Sequence, residues 1–287
     1  MAVRTEELTK SYGSVEALAG LDLEIPTGSS FGLIGPNGAG KSTTFAILAS
    51  LLAPTSGRVE VAGFDPSVSP LEVRRRVGYM PDILGVYENL RVDEYLRFFA
   101  ASYRIPRATW PGLIDGLLEL VDLGTKRDAM VDSLSRGMKQ RLSLARSLVH
   151  DPDVLILDEP ASGLDPRARV DLRDLLAELR SMGKTIIVSS HILAELEEMC
   201  SHVAILEAGR LLASGAPKDI RSSLAVGRTV LVRTAGGEEQ VHTVADEGEQ
   251  VELIRRLVGE GVPIVEVVET DSGLEDLFLR ITRGTVQ

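Results

Sequence analysis

The chain has 287 residues, 44% hydrophobic and 25% charged, enough for one large domain or a large domain with a small companion. Its net charge of −11 argues against duplex nucleic acid as the main partner, because neutralising phosphates requires a basic surface. A single cysteine, Cys200, excludes an internal disulfide framework and a cysteine-based zinc cluster.

In chain order, "MAVRTEELTKSYG" lacks the apolar core of a secretory leader, and no stretch approaches the roughly 18 apolar residues of a membrane span. A soluble, cytoplasmic chain is expected. The first 26 residues alternate as strands around a turn at "SYGS". "SSFGLIG" reads as a buried strand entering a glycine-rich loop, and "KSTTFAILASLLAP" as a helix that stops at Pro54. "GRVEVAGFDP" predicts a hairpin strand and turn. From Leu84 to Val149 the pattern is mainly helical, with "VDEYLRFFAASYR" and "WPGLIDGLLELVDLG" amphipathic. "PDVLILDEP" and "KTIIVSSH" are apolar strands, separated by the helix "RARVDLRDLLAELRSMG". The helix "ILAELEEMC" and the strand and turn "HVAILEAGRLLASG" follow. Apolar strands alternating with helices imply an α/β fold with a parallel sheet covered on both faces. After Ser222 the texture changes to a hairpin ("TVLVRTAGGEEQVHTVA"), a helix ("EQVELIRRLVGEGV"), a strand ("PIVEVVET") and a closing helix ("GLEDLFLRITRG"). Residues 1–221 are therefore expected to form one domain, and residues 222–287 a small α+β appendix.

Three stretches carry chemistry. "GPNGAGKST", from Gly35 to Thr43, fits G-x-x-x-x-G-K-S/T between a strand and a helix. Glycines let successive backbone N–H groups turn inward on phosphate oxygens, and the helix start adds its positive dipole end. Lys41 is expected to reach the β- and γ-phosphates and the Ser42 hydroxyl to ligate Mg²⁺. "VLILDEP" sets Asp158 and Glu159 at the end of an apolar strand, where two carboxylates are costly unless a cation or a reaction uses them. Asp158 suits the Mg²⁺ side and Glu159 a general base for an attacking water. His191 ends the next strand, where open parallel sheets place ligand groups. "LSRGMKQR", from Leu134 to Arg141, is a polar, basic run in an acidic chain. Its serine and first-turn amides either cap a surface helix or face an anion.

Together these residues resemble the ATP-binding cassette (ABC) family of ATPases over about residues 2–220. "GPNGAGKST" (Gly35, Pro36, Asn37, Gly38, Ala39, Gly40, Lys41, Ser42, Thr43) is similar to its phosphate loop and "VLILDEP" to its Mg²⁺ strand. "SGLD", ending at Asp165, is similar to its D-loop, "SSH" to its histidine switch and "LSRGMKQR" to its signature. The resemblance implies a P-loop ATPase core with a helical subdomain at about residues 83–150, binding ATP and Mg²⁺. Tyr12 would stack on adenine. The signature, with Ser135 and Gly137, would close over the ATP held by a second cassette chain, in a homo- or heterodimer. Arg136 and Met138 depart from the usual LSGGQ, and Asp82, in "GYMPD", stands where a glutamine is usual. Asp82 either approaches Mg²⁺ or its water, or is a turn residue after Pro81.

The motif combination looks most like exporter ATPases of the type 2 class. That implies a polytopic membrane permease as partner, docked near residues 82–105, with the chain peripheral on the inner face of the cell membrane. The competing class, a non-transport ABC ATPase acting on nucleic acid or the ribosome, is opposed by the acidic charge and by the single cassette.

Overall fold

The computed structural model describes residues 1–83, 85, 89–224, 228–244 and 246–270. It divides into two compact units, Met1–Ser214 and Gly215–Gln287. The first unit opens with β1 (Val3–Tyr12), β2 (Val15–Ile25), β3 (Ser30–Ile34), α1 (Lys41–Leu48) and β4 (Ser56–Val61). Next come α2 (Pro70–Arg76), β5 (Val77–Met80), α3 (Val92–Ser102), α4 (Trp110–Leu120) and α5 (Arg136–Leu148). It closes with β6 (Val154–Leu157), α6 (Pro166–Ser181), β7 (Thr185–Ser190), α7 (Leu193–Met199), β8 (His202–Glu207) and β9 (Arg210–Gly215).

A six-stranded sheet in the order β5-β6-β7-β3-β8-β9 forms the centre, and neighbours from β5 to β8 pair in parallel. Every residue of β3, β6 and β7 is buried, which is why their sequences run apolar rather than alternating. An antiparallel sheet, β2-β1-β4, shares one apolar core with it through Leu21, Ile25, Phe45, Val61 and Ile156. Each such side chain contributes about 1.5–3 kcal/mol by leaving water.

Two elements go beyond the sequence reading. α2 and β5 occupy a stretch without clear periodicity, and β5 adds an edge strand beside β6. α1 ends at Leu48, short of Pro54, and Ser50 follows with a left-handed φ of 59°.

In the second unit, β10 (Arg228–Thr234), β11 (Glu239–Val244) and β12 (Ile264–Thr270) form an antiparallel sheet in the order β11-β10-β12. α8 (Pro217–Leu224) precedes it, and α9 (Glu247–Gly259) packs Leu253 and Leu257 on Val230, Val232 and Val244. The division between units falls ahead of α8 rather than at 221/222, which would cut that helix. The closing helix expected from "GLEDLFLRITRG" lies outside the described residues.

One close approach fixes α5, the helix of "LSRGMKQR", on the sheet. A Cβ on Gly78 would lie 2.3 Å from the Ser147 carbonyl oxygen, so only glycine lets α5 come this near β5. Arg146 Nη2 donates to the Tyr79 carbonyl at 2.9 Å beside it. Gly78→Ala should therefore destabilise the protein by about 1–3 kcal/mol, the usual range for overpacking, read as a lower urea midpoint.

Candidate active site

The parallel order brings four loops to one edge of the sheet. Ile34 is level with Ser190, Leu157 with Val188, and Met80 with Leu157. The phosphate loop after β3, Asp158 and Glu159 after β6, His191 after β7 and Asp82 beyond β5 thus emerge side by side. Carboxyl ends of parallel strands are where such sheets bind ligands.

The loop from Gly35 to Gly40 is shaped by close backbone approaches. A Cβ on Gly35 would meet the Leu206 carbonyl oxygen at 2.4 Å, and one on Gly40 would meet the Ala17 carbonyl oxygen at 2.7 Å. Gly40, with φ 103°, turns the chain into α1, whose first residue is Lys41. Ala39 N–H closes a turn onto the Pro36 carbonyl at 3.1 Å. Asn37, Gly38 and Ser42 face solvent, and Thr43 is half-buried. Lys41 is buried, and its Nζ donates to the Gly35 carbonyl at 2.7 Å.

The carboxylates are held by partners on other strands. Glu159 Oε1 lies 3.5 Å from Lys41 Nζ, and its Oε2 lies 2.8 Å from His191 Nδ1. Glu159 has a left-handed φ of 49°, rare for a residue with a side chain, and its N–H donates to Ser189 Oγ at 2.9 Å. The same hydroxyl donates to Asp158 Oδ1 at 2.5 Å. Asp158 is 3% exposed, and burial pushes its carboxyl pKa up. The hydroxyls of Ser189 and Ser42 offset part of that shift, while the charges of Glu159 and Asp82 add to it. Ser189 organises both carboxylates, yet in the sequence it reads only as a polar strand end beside His191.

The remaining candidates lie on the surrounding elements. Ser135 is the N-cap of α5, its Oγ accepting from Met138 N at 3.3 Å. The N–H groups of Arg136 and Gly137 start the helix and have no carbonyl within it to receive them. Asp165 caps α6 in the same way, accepting from Ala168 N at 2.9 Å. Tyr12 is half-exposed at the β1–β2 turn, with the Lys10 ammonium 5.3 Å from its ring centre. Asp82 is exposed. No group of three or more His, Cys, Asp or Glu side chains able to hold a metal occurs among the described residues.

Comparison with known proteins identifies the family. The ABC transporter family profile matches residues 18–162. The chain is 35% identical over 295 aligned residues to Nod factor export ATP-binding protein I of Cupriavidus metallidurans, spanning 98% of this chain and 97% of that protein. The chain belongs to the ABC transporter family. It is an ATP-binding subunit of that family and an ATPase. Two solved structures share its fold. One, an ATP-binding subunit of an ABC transporter, is 32% identical with a TM-score of 0.71, covering 78% of this chain and 93% of that one. The other, cbiO1 from Clostridium perfringens, part of the transporter complex cbiONQ, is 30% identical with a TM-score of 0.71, covering 77% and 90%.

The donor set also fits a hard cation. A buried carboxylate raised by burial lies within reach of the Ser42 hydroxyl, and such oxygen donors suit Mg²⁺. The raised pKa means that ionised Asp158 is disfavoured in the folded chain. Its contribution to stability is therefore present at low pH and lost as pH rises through the folded value. Asp158→Asn removes that charge and keeps the acceptor for Ser189. The melting temperature of the nucleotide-free protein should rise at pH 8, with a gain that narrows as pH falls toward the ordinary carboxylate range, while ATP hydrolysis is lost.

Proposed function

We propose that this chain powers export through a separate membrane-spanning permease, by ATP-driven closure with a second cassette chain. The alignment with export ATP-binding proteins across nearly the whole length of both chains is the observation that carries the export reading. Among the described residues no helix is long and apolar enough to cross a membrane, which supports a pore formed by a partner. A cleft of about 490 Å³ is lined by Leu71, Arg74, Tyr79, Phe99, Tyr103 and Arg146. It includes part of the 82–105 surface and suits a cytoplasmic segment of that partner.

In the hydrolytic step, Glu159 Oε accepts a proton from water as its oxygen attacks the γ-phosphorus and the bond to the ADP oxygen breaks. Lys41 and the loop amides hold the phosphates in line, and His191 orients Glu159 and donates toward the γ-phosphate. Ser42 and Asp158 would hold Mg²⁺, which when bound neutralises charge on the β- and γ-phosphate oxygens. Ser135 and the free amides of Arg136 and Gly137 would meet the γ-phosphate on the partner chain, since an anion at a helix N-terminus is stabilised by those N–H groups. Asp165 would sit at the same junction between chains, and Tyr12 against the adenine ring. The net charge of −11 disfavours nucleic acid as a partner.

Glu159→Gln should keep ATP binding, hydrolyse about 10²–10⁴-fold more slowly and accumulate as an ATP-bound dimer by size-exclusion chromatography. Wild-type turnover in that variant would refute the general-base assignment. Asp82 emerges beyond β5 at the strand edge that carries Asp158 beyond β6, and this placement supports a role for it at the water or Mg²⁺ side. Asp82→Gln should then retain more ATPase activity than Asp82→Ala, and equal rates would leave Asp82 as a turn residue. Co-purification with a polytopic membrane protein tests the transport reading.

A further inference from the structure

Two side chains of the signature helix reach the loop that follows Glu159. Gln140 is 7% exposed, and its Nε2 donates to the Ser162 carbonyl at 2.9 Å. Its Oε1 is buried without a hydrogen-bond partner. An unpaired buried acceptor is a cost to stability that an apolar side chain would not carry, and the amide is retained with one hydrogen bond, to Ser162. Arg136 Nη2 lies 3.4 Å from Ser162 Oγ. Its guanidinium covers Gly163 so closely that a Cβ there would sit 2.7 Å from Arg136 Cζ. On the same helical turn, a Cβ on Gly137 would meet Leu164 Cδ2 at 3.4 Å.

The contacted loop is tied back to the main chain of Glu159, the residue that carries the catalytic carboxylate. Ser162 N–H donates to the Glu159 carbonyl at 3.0 Å, and Leu164 N–H to the Ala161 carbonyl at 3.2 Å. Beside it, a cavity of about 320 Å³ lies between α5 and α6, lined by Leu144, Leu157, Pro160, Leu164 and Leu172. Arg141 bridges its rim, bonded to Asp122 at 3.0 Å and Asp171 at 2.7 Å. On this side α5 is joined to the catalytic loops by a few polar ties across a void. A close-packed apolar seam would spread any force over many neighbours, whereas these ties direct it to Ser162.

We propose that Gln140, assisted by Arg136, is a positioning residue for hydrolysis. It fixes the Glu159–Leu164 turn to the signature helix, so that a shift at the N-terminus of α5 moves the general base of the same chain. The proposal rests on the reading of Glu159 as base and of the signature as the partner chain's γ-phosphate contact. On that reading the tie runs from one ATP site to the other: a phosphate seated on the signature at one site sets the base at the second.

The test uses the full-length chain with Gln140→Leu and Arg136→Gly. Hydrogen exchange without nucleotide reports the tie itself, and steady-state ATPase kinetics report its use. In Gln140→Leu the amides of Ser162 and Leu164 should exchange about three- to tenfold faster, and kcat should fall by a similar factor, with KM for ATP within about twofold. Arg136→Gly should shift both readouts in the same direction by less. Because Arg136 is exposed, that variant decides the matter if Gln140→Leu fails to fold. Unchanged loop exchange overturns the proposal, and so does a loosened loop with unchanged kcat, which is what a purely structural role would give. The exchange readout stands apart from the hydrolysis reading, which fails separately if Glu159→Gln turns over normally.

Discussion

Two carboxylates must be kept at the end of a buried strand, and the first unit is arranged around that cost. Asp158 is taken out of water and loses ionisation energy for it, while Glu159 is spread between a lysine and a histidine. One hydroxyl mediates the arrangement, because Ser189 accepts from the backbone of Glu159 and donates to the side chain of Asp158. That hydroxyl is in place only because β7 pairs with β6 in one register, with Leu157 opposite Val188. A one-residue slip would turn Ser189 to the other face of the sheet and leave both carboxylates without it.

The departure at Arg136 has a local explanation. Its side chain turns onto Ser162 and Gly163 of its own chain. This leaves the amide edge of α5 uncovered, so a bulky residue in place of a glycine does not block the helix N-terminus. Met138 enters through its backbone, which donates to Ser135 Oγ. A change of side chain there leaves the cap intact.

What could be read in advance followed residue chemistry at strand ends. Asp158, Glu159 and His191 stand at or just past the ends of apolar strands, where polar groups need a reason to be, and Lys41 closes a glycine-rich loop that follows another such strand. β3, β6 and β7 announced themselves by length and apolarity. β5 did not, because "VGYM" is four residues with a glycine and no alternation, and it is a strand only by pairing with β6. α2, at seven residues, is too short to show a helical period. Gln140 and Ser162 are 22 positions apart, and nothing in either neighbourhood points to the other. Ser189 and Ser190 look alike in sequence, and only the alternation of the strand separates them. Ser189 turns to the carboxylates, while Ser190 bonds Glu195.

The strand order also governs when the site comes into being as the chain is made. β3 carries the phosphate loop early, yet its central partner is β7, with Ser30 level with Ile186. The pairing closes a long loop, and such closures are slow because their entropy is lost before the contacts form. A nascent chain that has emerged as far as the phosphate loop lacks the strand that places it beside the carboxylates. The phosphate loop and the carboxylates therefore come side by side late in synthesis, when β7 slots between β6 and β3.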